Sequence, residues 1–104
     1  MKLSDYVVRF LEEEGVRSVF MVAGGGIMHL MESVSRSKKI EYMCPHHEQA
    51  AAMAAEASWR TSGRIGVGLA TTGPGGTNMI TGAVGAWMDS VPTVYITGQV
   101  NSKS

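Results

Sequence analysis

The stretch "IGVGLATTGPGGTNMITG", residues 65–82, decides how this chain folds. Ile65–Thr71 is apolar with no polar alternation, the pattern of a strand covered on both faces rather than on one. Thr72–Gly76 breaks the run with a proline and glycines, and Thr77–Met88 resumes as a helix. Strand, short loop and helix in that order make up part of a parallel β–α–β unit.

The same order extends in both directions. Upstream, Gln49–Thr61 is a helix of small residues, and Gly63 is placed to end it in the left-handed conformation. Ile40–Cys44 is a strand that Pro45 stops, and it is expected to be buried. Ile27–Ser35 is a helix with Ile27, Leu30, Met31 and Val34 on one face. Ser18–Val22 is another strand, broken by Ala23–Gly26. The first helix starts from Ser4 as N-cap, buries Val7, Phe10 and Leu11, and stops at Gly15. Downstream, Thr93–Thr97 is the last strand. The expected fold is α/β: an open parallel sheet of about four strands with helices on both faces. With "GQVNSKS" after the last strand, no closing helix is expected. The sheet then looks unfinished, a truncated domain whose open edge or face would be covered by a partner or by further chain.

A chain of 104 residues, 44% hydrophobic and 17% charged, fits one domain. Its formal net charge is zero, which argues against nucleic acid or an anionic membrane as partner, because both need a basic face. No apolar run reaches the ~18 residues that a spanning helix needs. The acidic cluster Glu12–Glu14 occupies the place where a signal peptide would carry its apolar core. A lone cysteine, Cys44, precludes an internal disulfide and fits a reducing cytoplasm, the expected location. Ending an apolar strand, it is expected to pack rather than to react.

In a parallel α/β sheet, ligands sit outside the carboxyl ends of the strands. The loops at those ends are Ala23–Gly26, Pro45–His47, Thr72–Gly76 and Gly98–Gln99, and the unusual residues gather there. "AGGGIM" lacks the G-x-G-x-x-G spacing, and "GPGGTN" lacks the Lys-Ser/Thr of a P-loop. The glycines therefore serve either tight turns with positive φ or the approach of a flat ligand to bare backbone. Glu48 opens the small-residue helix. A carboxylate there is ordinary helix-start chemistry, or it stands at the mouth of a site. His46 and His47 are adjacent and cannot easily face one ion, so no metal site is expected. His29 is expected at the surface, Trp59 and Trp87 in the core or at an interface, and Asp89 in a turn with Ser90 and Pro92.

Taken together, "VFMVAGGGI", "HHEQAAAMAAEASWRTSG", "GVGLATTGPGGTNMITG" and "AWMDSVPTVYITGQV" resemble the N-terminal, pyrimidine-binding domain of thiamine-diphosphate enzymes, closest to the acetolactate synthase and decarboxylase group. The resemblance spans residues 1–104, in order. It implies that Glu48 is the activating glutamate. Hydrogen-bonded to a ring nitrogen of the aminopyrimidine, that carboxyl favours the imino form, which draws a proton from the thiazolium carbon. It also implies that Val22, Ala23 and Gly24 lie against the cofactor, and that Thr71, Gly73, Pro74 and Asn78 form the loop beside the pyrimidine. Many members read G-x-P-G where this chain reads Met21-Val22-Ala23-Gly24, with alanine in place of proline.

The family holds the diphosphate and Mg²⁺ on a separate C-terminal domain with a G-D-G stretch, which has no counterpart here. The resemblance therefore implies half a site: a partner diphosphate-binding domain or subunit, and a homo- or hetero-oligomer. The expected activity is decarboxylation or carboligation of a 2-keto acid, with the isolated chain inactive. A non-catalytic interaction module, docking through its open sheet and Trp-bearing helices, is the alternative. A nucleotide-binding module is disfavoured by the missing phosphate motif.

Overall fold

The computed structural model describes residues 2–99. The expectation of no closing helix concerns residues 100–104 and lies outside them. Within residues 2–99 the order is α1 (Leu3–Glu13), β1 (Ser18–Met21), a 3₁₀ turn (Gly25–Ile27), α2 (Met28–Arg36), β2 (Glu41–Met43), α3 (Glu48–Ser62), β3 (Gly66–Ala70), α4 (Pro74–Thr77), α5 (Ile80–Met88) and β4 (Thr93–Thr97). The four strands form one parallel sheet in the order β2-β1-β3-β4. Helices cover both faces, as the sequence led us to expect.

Alternation sorts the strands into two unlike faces. Val19 and Met21 of β1, Val67 and Leu69 of β3, and Val94 and Ile96 of β4 point one way. They pack with Val8 and Leu11 of α1 and Val34 of α2 into the main core. The other face of β3 carries Gly66, Gly68 and Ala70, where α3 lies. Ala51, Ala52 and Ala55 of α3 are completely buried. A Cβ on Gly66 would stand 2.3 Å from the Ala55 carbonyl oxygen, and one on Gly82 of α5 2.5 Å from the Ala52 Cβ. The small residues behind Glu48 thus let α3 press against its own sheet and against α5. Tyr95, opposite Gly68 across the ladder, fills the room left beside that glycine and donates its hydroxyl to the Ala52 carbonyl at 3.0 Å. Burial pushes the Tyr95 phenol above its ordinary value, so it remains a donor.

Gly63 ends α3 as expected, at φ +72° with its N–H on the Trp59 carbonyl at 2.8 Å. Other expectations need correction. Ser4 is not the N-cap of α1. Lys2 holds that place, and Ser4 is buried inside the helix with its hydroxyl 3.0 Å from that of Ser33 on α2. Phe10 is half exposed, and Val8 is buried in its stead. β2 is not a buried strand: Glu41, Tyr42 and Met43 are all exposed, and so is Cys44. It is an outermost strand, paired with β1 alone, so its apolar residues lack the cover that interior strands receive. The expected Thr77–Met88 helix is two. Pro74, whose fixed φ suits a first helical turn, starts α4 inside the presumed loop, and α5 begins only at Ile80. Trp87 is 79% exposed and takes no part in the core. Asp89 ends α5, where its carboxylate meets Arg60 at 2.7 Å.

Two predictions follow from this packing. Gly66→Ala drives a methyl into α3 backbone and is expected to cost about 1–3 kcal/mol, measured by chemical denaturation. Asp5 joins α1 to α2: it accepts from the Ser33 hydroxyl at 2.6 Å and from Arg36 at 2.8 Å. The Ser33 hydrogen bond, helped by the Arg36 charge, holds its carboxyl below the ordinary 3.8. Its contribution is therefore complete above that value and disappears as pH falls through the lower folded value. Asp5→Asn should be less stable than the parent at neutral pH, and the difference should narrow in melts taken at successively lower pH below 3.8.

Candidate functional site at the carboxyl ends of the strands

The turn after β1, the start of α3, the turn after β3 and the end of β4 meet at one end of the sheet. Thr71 is the hub of two of them. Its hydroxyl accepts the Gly26 N–H at 3.1 Å, and a Cβ on Gly24 would fall 2.4 Å from the Thr71 Cβ. The β4 end closes on the same turn, where a Cβ on Gly98 would lie 2.8 Å from the Gly26 carbonyl oxygen. Gly73 follows at φ +61°, ψ −125°, a conformation that needs glycine, and delivers the chain into α4. Of the two purposes that the sequence left open, the first holds at Gly73, a positive-φ turn, while at Gly24 and Gly26 the missing Cβ makes room for the Thr71 and Thr72 side chains.

Glu48 is the first residue of α3 and is half buried. The preceding His47 caps the helix, its Nδ1 accepting the Gln49 N–H at 3.0 Å. Asn78, just after α4, donates from Nδ2 to Glu48 Oε1 at 3.1 Å, and its own backbone N–H bonds the Pro74 carbonyl at 2.9 Å. Of the residues expected at the site, Glu48 and Asn78 are thus joined directly, and so are Gly24 and Thr71. Val22 is half buried, its N–H on the Leu69 carbonyl at 3.3 Å, while Ala23, Gly73 and Pro74 are exposed at the rim. None of Val22, Ala23 and Gly73 is hydrogen-bonded to Glu48.

The principal grooves lie elsewhere. One of about 730 Å³ runs between Arg17 and Arg64 at the amino ends of the strands, and one of about 420 Å³ lies between Leu3–Val7 and Gly25–Leu30. Glu48 lines neither. It stands half buried at the carboxyl ends of the strands, a surface referred to below as the shelf. Tyr95 was not anticipated as a support of this shelf. Its signal was Gly68, which becomes its neighbour only once β4 is known to pair with β3. No helix among the described residues is long and apolar enough to cross a membrane.

Set against known families, residues 1–104 match the thiamine pyrophosphate enzyme N-terminal TPP binding domain. The chain belongs to that family. The TPP domain is 46% identical over 99 residues to the chloroplastic acetolactate synthase of Arabidopsis thaliana, covering 95% of this chain and 15% of that protein. It is 48% identical over 99 residues to the chloroplastic acetolactate synthase 2 of Nicotiana tabacum, again 95% and 15%. The acetolactate synthase of Mycobacterium bovis is 45% identical over 94 residues, with 90% and 15% covered. The TPP domain therefore spans about 15% of the length of these relatives.

Gly24→Ala tests the shelf. It should destabilise the domain by about 1–3 kcal/mol in thermal melts, because the new methyl meets a carbon next to backbone. Thr71→Ala in the same chain should not restore stability, since the offending Cβ remains, whereas Thr71→Gly should restore part of it.

Proposed function

We propose that this chain is the pyrimidine-binding half of a thiamine-diphosphate enzyme that acts on 2-keto acids, by carboligation as in acetolactate synthase or by decarboxylation, with Glu48 activating the cofactor. The observation that carries the reading is a half-buried carboxyl at a helix start, hydrogen-bonded to Asn78, at the end of the sheet where the Gly24–Gly26 turn packs on Thr71. The residues present fit the pyrimidine end of the cofactor. A carboxyl group matches a ring nitrogen, and turns without Cβ atoms can approach a flat heterocycle. They do not fit the diphosphate. Residues 22–26, 44–48, 71–78 and 98–99 include no Lys or Arg. The diphosphate and its Mg²⁺ therefore belong on a partner domain or subunit, which also covers the shelf.

Thiamine diphosphate, when bound, supplies the carbanion stabilisation that carbon–carbon chemistry on a 2-keto acid requires. The chain's own part is narrower. Glu48 holds a proton on its carboxyl and presents it to the ring nitrogen. The buried alanines fix the height of α3, and with it Glu48, above the sheet. Thr71 holds the glycine turn down, so that backbone rather than side chain meets the ring. Water is kept away by the partner surface, because the shelf alone is open.

Glu48→Gln in the assembled enzyme is expected to slow exchange of the cofactor C2 proton by about 10²-fold or more. Unchanged exchange refutes the proposal. A second reading is favoured by one observation: Ile80 at 55%, Trp87 at 79% and Met88 at 71% leave an exposed apolar stripe on α5. Under that reading the chain is an interaction module without a catalytic role. Calorimetric titration of the chain alone with thiamine diphosphate and Mg²⁺ should give negligible heat if the site is half a site, and tight binding would refute that view.

A further inference from the structure

We infer that Asn78 is a positioning residue whose side-chain amide decides which oxygen of Glu48 carries the proton. The inference rests on the reading of Glu48 given above and adds a proton location to it.

A carboxyl group can carry its proton on either oxygen, and only one choice aims that proton at a given acceptor. The Asn78 Nδ2 group donates and cannot accept. It lies 3.1 Å from Oε1, so it occupies a lone pair of that oxygen. The better acceptor of the two oxygens of a neutral carboxyl is the carbonyl oxygen. A donor held on Oε1 therefore selects the form in which Oε1 is the carbonyl and Oε2 bears the hydrogen. The same bond fixes the rotation of the carboxyl plane, which would otherwise be free at the end of a long side chain.

Asn78 is suited to this because its backbone is held. It ends α4, its N–H on the Pro74 carbonyl at 2.9 Å, directly after the turn that Gly73 bends and Thr71 anchors. Glu48 is held from the other side. α3 is fixed one turn further on by Tyr95 at the Ala52 carbonyl and by Gly82 against the Ala52 Cβ. Two independently fixed pieces of backbone, 30 residues apart in sequence, thus meet through one hydrogen bond. Among the described hydrogen bonds it is the one that Glu48's carboxyl makes. Oε2 stays available for a ring nitrogen.

The test is a double-mutant cycle with two readouts. In the 104-residue chain without cofactor, NMR follows solvent exchange of the Asn78 side-chain amide protons. Glu48→Ala should speed that exchange by roughly tenfold, the scale of one hydrogen bond, and Glu48→Gln, which keeps an acceptor oxygen, should speed it less. Equal exchange in all three chains overturns the inference. In the assembled enzyme, Asn78→Leu (or Asn78→Ala, should the leucine chain not fold) should slow C2 proton exchange roughly tenfold where Glu48 is present. It should add no further loss in the Glu48→Gln background. A purely structural tie, or a direct contact of Asn78 with the cofactor, would give equal losses in both backgrounds and overturn the inference alone. Unchanged exchange in Glu48→Gln by itself removes the Glu48 reading, and this inference with it.

Discussion

The close contact between α3 and β3 is the constraint on which the rest of the molecule depends. A helix carrying ordinary side chains stands about 10 Å from a sheet, and longer side chains hold it further off. Here Gly66 lies against Ala55 and Ala70 packs with Ala52, and no methyl could be added at Gly66 without entering the α3 backbone. The gain is positional. Where Gly66 meets Ala55 the helix backbone lies directly on the strand, and beside Gly68 the Tyr95 and Met79 side chains fill the gap, so the height of α3 is set by close contact. Glu48, at the first residue of that helix, inherits the setting.

The same economy of side chain governs the turns at the site. Gly24 against Thr71, Gly26 on the Thr71 hydroxyl and Gly98 against the Gly26 carbonyl draw three strand ends together. Such close-packed turns have little conformational freedom. Small residues that weaken an isolated helix or strand are used where precision of approach matters more than burial of apolar area. Apolar burial is handled on the opposite face, where Val, Leu, Ile and Met from the strands, α1 and α2 interlock.

Family membership and the geometry of the shelf bear on one another. The relatives are about six times as long as this chain, as the 15% coverage implies. Ala23 falls on an exposed rim position rather than among the close contacts.

Much of this was legible in the sequence. The unbroken apolar run of residues 65–71, the glycine at position 63 and the strand–turn–helix rhythm fixed a parallel α/β sheet, because strand burial, helix termination and turn chemistry are governed by residues a few positions apart. The same local order carried the likeness to thiamine-diphosphate enzymes and pointed to Glu48, Thr71 and Asn78. What only the tertiary structure decided are relations across long separations. β2 lies at an edge, so its apolar residues stay exposed. Ser4 answers to Ser33 across 29 residues rather than to its own helix. Tyr95 finds Ala52 across 43 residues, and Asn78 meets Glu48 across 30. Such pairings leave no local pattern, because strand order and helix rotation, not sequence spacing, determine which side chains come within hydrogen-bonding reach.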